Sequence, residues 1–196
     1  MVTWIAQKLV LEKNDIRLSS LRKEHIPDLW QLAQDERIWR HYIYDCSDES
    51  RFKSLYQPAL EAMKAGREHC FVIEDKAGNL MGSTRFLAID PAHRKLEIGW
   101  TWLHPDFWGT DVNRLCKWLL LKHCFEALKT VRVQVKTDEN NERSRKAILK
   151  TGAKFEGILR NEFIRDDCSY RNSAYYSITE EDWPMVKHRL QSAAPV

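Results

Sequence analysis

Hydrophobic positions along the chain change period several times, and each change marks an element. Leu9–Leu11 and Ile16–Leu18 are short apolar-rich stretches flanking "EKND", whose residues favour a tight reversal, so two strand pieces joined by a turn are predicted. In "KEHIPDLWQLAQD" the residues Ile26, Leu29, Trp30, Leu32 and Ala33 recur at helical spacing. A second helix is predicted from Glu49 to Lys64, stopped at Gly66. "HCFVIEDKAGNLMGSTRFLAIDPAHRKLEIGWTWL" then reads as three strands, with "DKAGN" and "DPAHR" as turns. Strands joined this closely make an antiparallel meander.

The second half alternates differently. Val112 to Leu128 is apolar on most of its circumference, which predicts a long helix buried against a sheet. "VRVQVKT" alternates with a period of two and predicts a strand. "NNERSRKAILKTGAKFEG" is a helix stopped at Gly152, and "FEGILRNEFIRDDCSYRNSAYYSI" is a hairpin turning at "RDDCS". "TEEDWPMVKHRL" closes the chain as a short helix with Thr179 as its N-cap. The predicted order is β-α-α-β-β-β-α-β-α-β-β-α, an α/β (α+β) chain. The crossover helix after the meander makes its sheet mixed.

Composition narrows the class. With 196 residues, 43% hydrophobic and 30% charged, and without repeats or a Pro/Gly/Ser linker, the chain is read as one domain over residues 1–196. A net charge of +3 and no basic stripe with interleaved aromatics argue against nucleic acid. The first residues lack the layout of a signal peptide and no run is long enough to span a membrane, so a cytoplasmic, soluble protein is expected. The five cysteines form no Cys-x-x-Cys pair and read as reduced packing residues, with no metal site.

Three stretches carry candidate chemistry. In "LEIGWTWL", Glu97 is a lone acid among apolar neighbours. Partly desolvated, it suits a general base; on the solvent face it would simply pair with a lysine. "HPDFWGTDVNRL" is a glycine turn feeding a helix, a place where free backbone amides accept phosphate, or else an ordinary strand-to-helix connection. In "NNERSRK", Asn141 and Ser144 stand one helical turn apart and can face one ligand, or Asn141 merely caps the helix.

Together these residues resemble the GNAT superfamily of N-acetyltransferases, in its branch of RimJ- and RimL-like ribosomal-protein N-terminal acetyltransferases. The likeness rests on "EIGW" on a strand, "HPDFWGT" leading into a long helix, "NERSRKAILKTGAKFEGILR", and the closing hairpin ending "YYSI"; "IRLSSLRKEHIPDLW" extends it toward the start. It implies the GNAT fold, with a mostly antiparallel sheet whose central strands splay. It implies acetyl-CoA as donor and a primary amine as acceptor, a protein N-terminus or a small molecule, reacting directly in a ternary complex. Backbone groups near Trp102 and Leu103 would hold pantetheine and polarise the thioester. The pyrophosphate would lie on Trp108, Gly109, Thr110, Asp111 and Val112, with Asn113 and Arg114 beside it. Asn141 would contact the cofactor, Glu97 would be the base, and Ser144 would help protonate the departing thiolate. Trp39, Tyr42 and Tyr44, between the first two helices, would border the acceptor. The branch also implies a homodimer.

Departures from the pattern define a rival. Where the superfamily writes Gln/Arg-x-x-Gly-x-Gly/Ala, this chain has Asp106-Phe107-Trp108-Gly109-Thr110-Asp111, and where many members carry a Tyr acid it has Ile148. Were Asp111 aimed at a phosphate ~5 Å away, repulsion would cost roughly 3 kcal/mol at an effective dielectric of ~20, and about 1 in near-water screening. The rival is a catalytically weak CoA-binding or regulatory module with a drifted phosphate loop. Asp111 also has an innocent role as a helix N-cap with a strained backbone angle. Arg132, Lys136 and the "RSRK" run read as a small basic cluster.

Overall fold

The computed structural model describes residues 4–192. Strands β1 (Val10–Lys13) and β2 (Ile16–Ser20) pair across the "EKND" reversal, where Asn14 takes a left-handed φ of 54° that short polar residues tolerate. Helices α1 (His25–Ala33) and α2 (Glu49–Lys64) follow; the Asp48 carboxylate caps α2 by accepting from the Arg51 amide. The meander is β3 (His69–Asp75), β4 (Leu80–Asp90) and β5 (Lys95–Leu103). Then come α3 (Val112–Lys122), β6 (Arg132–Asp138), α4 (Glu142–Thr151), β7 (Lys154–Ile164), β8 (Tyr170–Thr179) and α5 (Trp183–Ser192).

The eight strands form one sheet in the order β1-β2-β3-β4-β5-β6-β8-β7. Every neighbouring pair is antiparallel except β5 and β6, which α3 joins as a crossover. This is the mixed, mostly antiparallel GNAT architecture. The apolar circumference of α3 (Leu115, Cys116, Leu119, Leu120) is buried against Leu96, Ile98 and Val133 on one face. The opposite face carries a second core, in which Leu29 and Ala33 of α1 and Phe52 and Tyr56 of α2 meet Cys70, Val72 and Trp102. Burying each such Leu, Ile or Phe contributes ~1.5–3 kcal/mol, so β5 is clamped from both sides. All five cysteines are free and four are buried, consistent with packing roles. Among the described residues no helix is long and apolar enough to cross a membrane.

Two local expectations are corrected. The long helix is not α-helical to Leu128: after Lys122 it widens into a π turn over His123–Ala127, closed by the Leu128 amide on the His123 carbonyl at 3.0 Å. The extra residue of that turn keeps both Cys124 and Phe125 in the core. Thr179 does not cap the last helix. It ends β8, and its amide and hydroxyl donate to the Asp182 carboxylate at 3.1 and 2.9 Å, while the Asp182 carbonyl accepts the Val186 amide and opens α5. Both residue types make caps, and the charged acceptor satisfies the strand-end donors more strongly.

Candidate active site

β5 and β6 are paired only at Lys95–Arg132, Leu96–Val133 and Glu97–Gln134. Beyond Glu97 they part. The cause lies on the other edge of β5, where the β4–β5 register shifts between Ser83 and Arg85 and Trp100 takes φ 48°. Such a bulge strengthens the local twist and swings the end of β5 away from its parallel neighbour. Gly82 lets β4 follow: a Cβ there would stand 2.1 Å from the Trp102 carbonyl oxygen. That carbonyl therefore faces β4, and the peptide groups of Thr101 and Leu103 face the opening. Two side chains reach them from that side. The Tyr42 hydroxyl donates to the Thr101 carbonyl at 2.6 Å and the Trp108 indole to the Leu103 carbonyl at 2.9 Å. The N–H of Leu103 leaves on the same edge as its carbonyl. Trp102 turns its indole into the second core, donating to the Tyr56 hydroxyl at 2.7 Å.

The glycine turn sits at the mouth of this opening. Gly109 takes φ 76°, which a side-chain-bearing residue resists, and the Thr110 hydroxyl ties the turn back to the Phe107 carbonyl at 2.7 Å. Among the described residues the amides of Gly109, Thr110, Asp111, Asn113 and Arg114 have no hydrogen-bond partner, and that of Val112 has only the Thr110 hydroxyl at 3.4 Å. A run of free N–H groups at the head of an 11-residue helix is an anion cradle.

Asp111 neither points into that cradle nor caps the helix through its side chain. Its φ is an ordinary −71°, and its carboxylate is gripped by Arg114 through Nε at 2.9 Å and Nη2 at 2.8 Å. Those hydrogen bonds hold its pKa below the usual carboxylate range. Arg114 also donates to the Leu190 carbonyl at 2.6 Å, so the pair is anchored against α5.

Glu97 satisfies both of its sequence readings in part. It is only 5% exposed and it has a lysine beside it: Gln134 donates to Oε2 at 2.8 Å, with Lys136 Nζ 3.6 Å away. Lys136 continues to Glu162 at 2.9 Å, and the Tyr175 hydroxyl donates to the same carboxylate. Burial alone would lower Lys136, but Glu97 and Glu162 outweigh it and hold its pKa above that of a free lysine. Glu162 is held below the usual range because hydrogen bonding and Lys136 outweigh its burial. The wall of this face comes from the segment between α1 and α2. Trp39 is buried, donating to the Ala33 carbonyl at 2.7 Å and meeting Tyr42 edge-on at 5.1 Å. Tyr42 and Tyr44 lie against Trp100, with ring centroids 5.6 and 6.5 Å apart.

The head of α4 is brought to the same place by Arg143, whose guanidinium stacks 3.6 Å over the Trp108 ring. Asn141 is the N-cap of α4 and accepts the Ser144 amide at 3.0 Å. The expected basic cluster is dispersed. Arg132 is taken by Glu156, Lys136 by Glu162, and Arg145 by the Tyr176 hydroxyl and the Glu139 carbonyl. Sequence reasoning missed Gln134 and Glu162, and read Lys136 only as part of a basic cluster. The alternation of "VRVQVKT" puts Gln134 and Lys136 on one face, and their nearness to Glu97 follows once β5 and β6 are known to be parallel neighbours. Among the described residues no group of three or more His, Cys, Asp or Glu could hold a metal ion.

A splayed parallel pair, a free-amide turn and a buried carboxylate on one strand compose a candidate acyltransferase-type site. The acetyltransferase (GNAT) domain model matches residues 15–154, and the chain belongs to that family of N-acetyltransferases. It is 28% identical over 168 residues to YoaA, an uncharacterized N-acetyltransferase of Bacillus subtilis (strain 168), covering 85% of this chain and 94% of that one. It resembles a solved structure from T. thermophilus assigned as an acetyltransferase, with 32% identity, a TM-score of 0.83 and coverage of 93% and 95% of the two chains. Mycobacterium smegmatis RimJ, solved with CoA-disulfide, shares the fold at 21% identity and a TM-score of 0.78, covering 94% and 93%.

Proposed function

We propose that this chain, as one domain over residues 1–196, transfers acetyl from acetyl-CoA to a primary amine by direct attack in a ternary complex. Support comes above all from the parting of β5 and β6 beyond Glu97, with free amides at its mouth. Gly109 to Arg114 would receive the pyrophosphate, and the Leu103 N–H would bind along the pantetheine arm and polarise the thioester. Arg143, exposed and without a carboxylate partner among the described residues, suits a further phosphate. Asn141 keeps its amide NH2 free for the cofactor.

Acetyl-CoA supplies the activated acyl group. Glu97 would draw the proton from the acceptor ammonium, directly or through water. The amine lone pair then forms the C–N bond as the C–S bond breaks, and the thiolate leaves to be protonated, with Ser144 as the side chain assigned to assist. Tyr42, Tyr44 and the buried Trp39 would shape the acceptor side. A protein N-terminus, as RimJ- and RimL-like enzymes use, is one acceptor of this kind; a small amine is the other. The setting is cytoplasmic, and the functional unit is a homodimer.

The rival, a weak CoA-binding module, draws its force from Asp111 facing the phosphate. The bidentate grip of Arg114 favours the enzyme. Calorimetric titration tests both: acetyl-CoA is expected to bind the wild-type chain at micromolar Kd or tighter, and Asp111→Gly to shift that by less than about tenfold. Absence of binding to either protein would sink the acetyltransferase site. A hundredfold tightening in Asp111→Gly would revive the drifted module.

A further inference from the structure

The acceptor face holds one buried cation that nothing in the protein uses. Arg171, on β8, is 8% exposed, and among the described residues its side chain makes no hydrogen bond and no ion pair; its Nε is fully buried and unpartnered. Its only contact of note is the Phe163 ring, 5.6 Å from the guanidinium carbon. The carboxylates near enough to influence it, Asp138 and Glu162, neither hydrogen-bond nor ion-pair with it and are both committed at least in part to other side chains. Asp138 is taken by Arg165 and by the Asn140 amide at 2.8 Å, whereas Glu162 is held by Lys136 and Tyr175 through Oε1 alone and its buried Oε2 has no partner among the described residues. A largely buried guanidinium left unpaired is costly to fold unless a partner arrives from outside.

Its place says which partner. Arg171 and Arg143 both act electrostatically on the Tyr42 hydroxyl, which is bonded to the Thr101 carbonyl at the edge of the β5–β6 opening. On β8, Arg171 and Tyr175 share one face, and Tyr175 joins the chain of side chains that leads through Glu162 and Lys136 to Glu97. The unpaired cation therefore lies on the β8 face that carries Tyr175, beside the row of side chains that leads to Glu97. Resting on the acetyltransferase reading, we propose that Arg171 receives a carboxylate carried by the acceptor itself. The substrates are then amines bearing an acid close to the reacting nitrogen, as in an amino acid or an acidic peptide N-terminus. A guanidinium fork matches a carboxylate bidentately. A polyamine would bring only like charge to the same spot.

The test is calorimetric titration of the CoA complex, which needs no turnover. The matched probes are C-terminally amidated Ser-Asp-Ala against Ser-Asn-Ala, and glycine against glycinamide, so that the peptide and amino-acid sources are read separately; spermidine is the amine without an acid. In at least one pair the carboxylate member is expected to bind about tenfold tighter or more. Arg171→Gln should collapse that ratio to within about twofold while Arg171→Lys keeps part of it. Equal binding within both pairs, binding of no carboxylate probe, or tightest binding of spermidine overturns the proposal in the wild-type protein alone, whatever the variants do. A fall in CoA affinity in Arg171→Gln, with its thermal unfolding unchanged, also overturns it by assigning the guanidinium to the cofactor. Failure of CoA itself to bind is a separate result and overturns the acetyltransferase site instead.

Discussion

Glu97 shows how a single side chain is readied by what is missing beside it. Its neighbour two positions on is Gly99, where a Cβ would stand 2.9 Å from Glu97 Oε1, so the carboxylate lies in the space that glycine leaves. Gln134 fixes the other oxygen. Replacement by Gln preserves shape and removes the base. Glu97→Gln is expected to lower kcat by about 10²-fold, at the low end of what general-base catalysis contributes, with acetyl-CoA affinity unchanged. A kcat within about threefold of wild type would remove Glu97 from the chemistry. Lys117 makes the opposite kind of residue-scale statement. It is 8% exposed on α3, donates to the Thr101 hydroxyl at 2.9 Å, and has no carboxylate partner among the described residues. Burial pushes its pKa down to about 8, from an ordinary 10.5. Because the folded value lies below the unfolded one, the unfolded chain binds the proton more readily. The penalty on folding is fully present below pH 8 and fades as pH rises toward 10.5. A shift of that size corresponds to roughly 3 kcal/mol. Lys117→Met should therefore be more stable than wild type at pH 7 by about 1–3 kcal/mol in urea unfolding, with the advantage shrinking by about pH 10. An advantage that does not change with pH would show that the ammonium carries no such cost.

At the scale of elements, the sequence was most legible where one period ran long enough to outvote its neighbours. α2 runs from Glu49 to Lys64 as the pattern predicts, and β6 is the alternating "VRVQVKT" almost residue for residue. Legibility failed where an element's form depends on a partner far along the chain. The bulge at Trp100 is invisible in "LEIGWTWL", because it arises from a register shift against β4. That bulge parts β5 from β6, so the likeness to a known family had to supply the splay that periodicity could not. The hairpin shows the same limit. "RDDCS" is recognisable as its turn, yet the register of β7 against β8 shifts between Leu159 and Phe163, and only that shift brings Glu162 to Lys136. Asp111 was half legible. Its place at the head of α3 was readable, whereas the direction of its carboxylate depended on Arg114 being held by Leu190 of α5, 76 residues away.

The sheet of the whole molecule ends at two edge strands, the four-residue β1 and the much longer β7. β7 lies at the end of the strand order, so one edge of its 11-residue backbone has no neighbour. Proteins that stay monomeric blunt such an edge with charge, shortness or cover. Here β7 carries exposed Lys154, Glu156 and Arg160, but the hairpin also exposes Phe155, Leu159, Ile164 and Tyr170, each 48–64% accessible, more large apolar side chains than any other element exposes on the described surface. A net charge of +3 is too small to keep two copies apart at ordinary ionic strength. The same hairpin carries Arg171 and Tyr175, so pairing along β7 would stiffen the wall proposed for the acceptor as well as cover the edge. Sedimentation equilibrium at about 20 µM, a concentration that populates a dimer of micromolar Kd, is expected to give twice the 23.2 kDa mass of the chain. Leu159→Lys combined with Ile164→Lys should shift the equilibrium to the monomer while leaving acetyl-CoA binding intact, since both lie on β7, which β8 and β6 separate from β5 in the sheet. A wild-type chain that sediments as a monomer up to about 100 µM would limit any such dimer to a Kd too weak to matter, and β7 would then be a solvated edge.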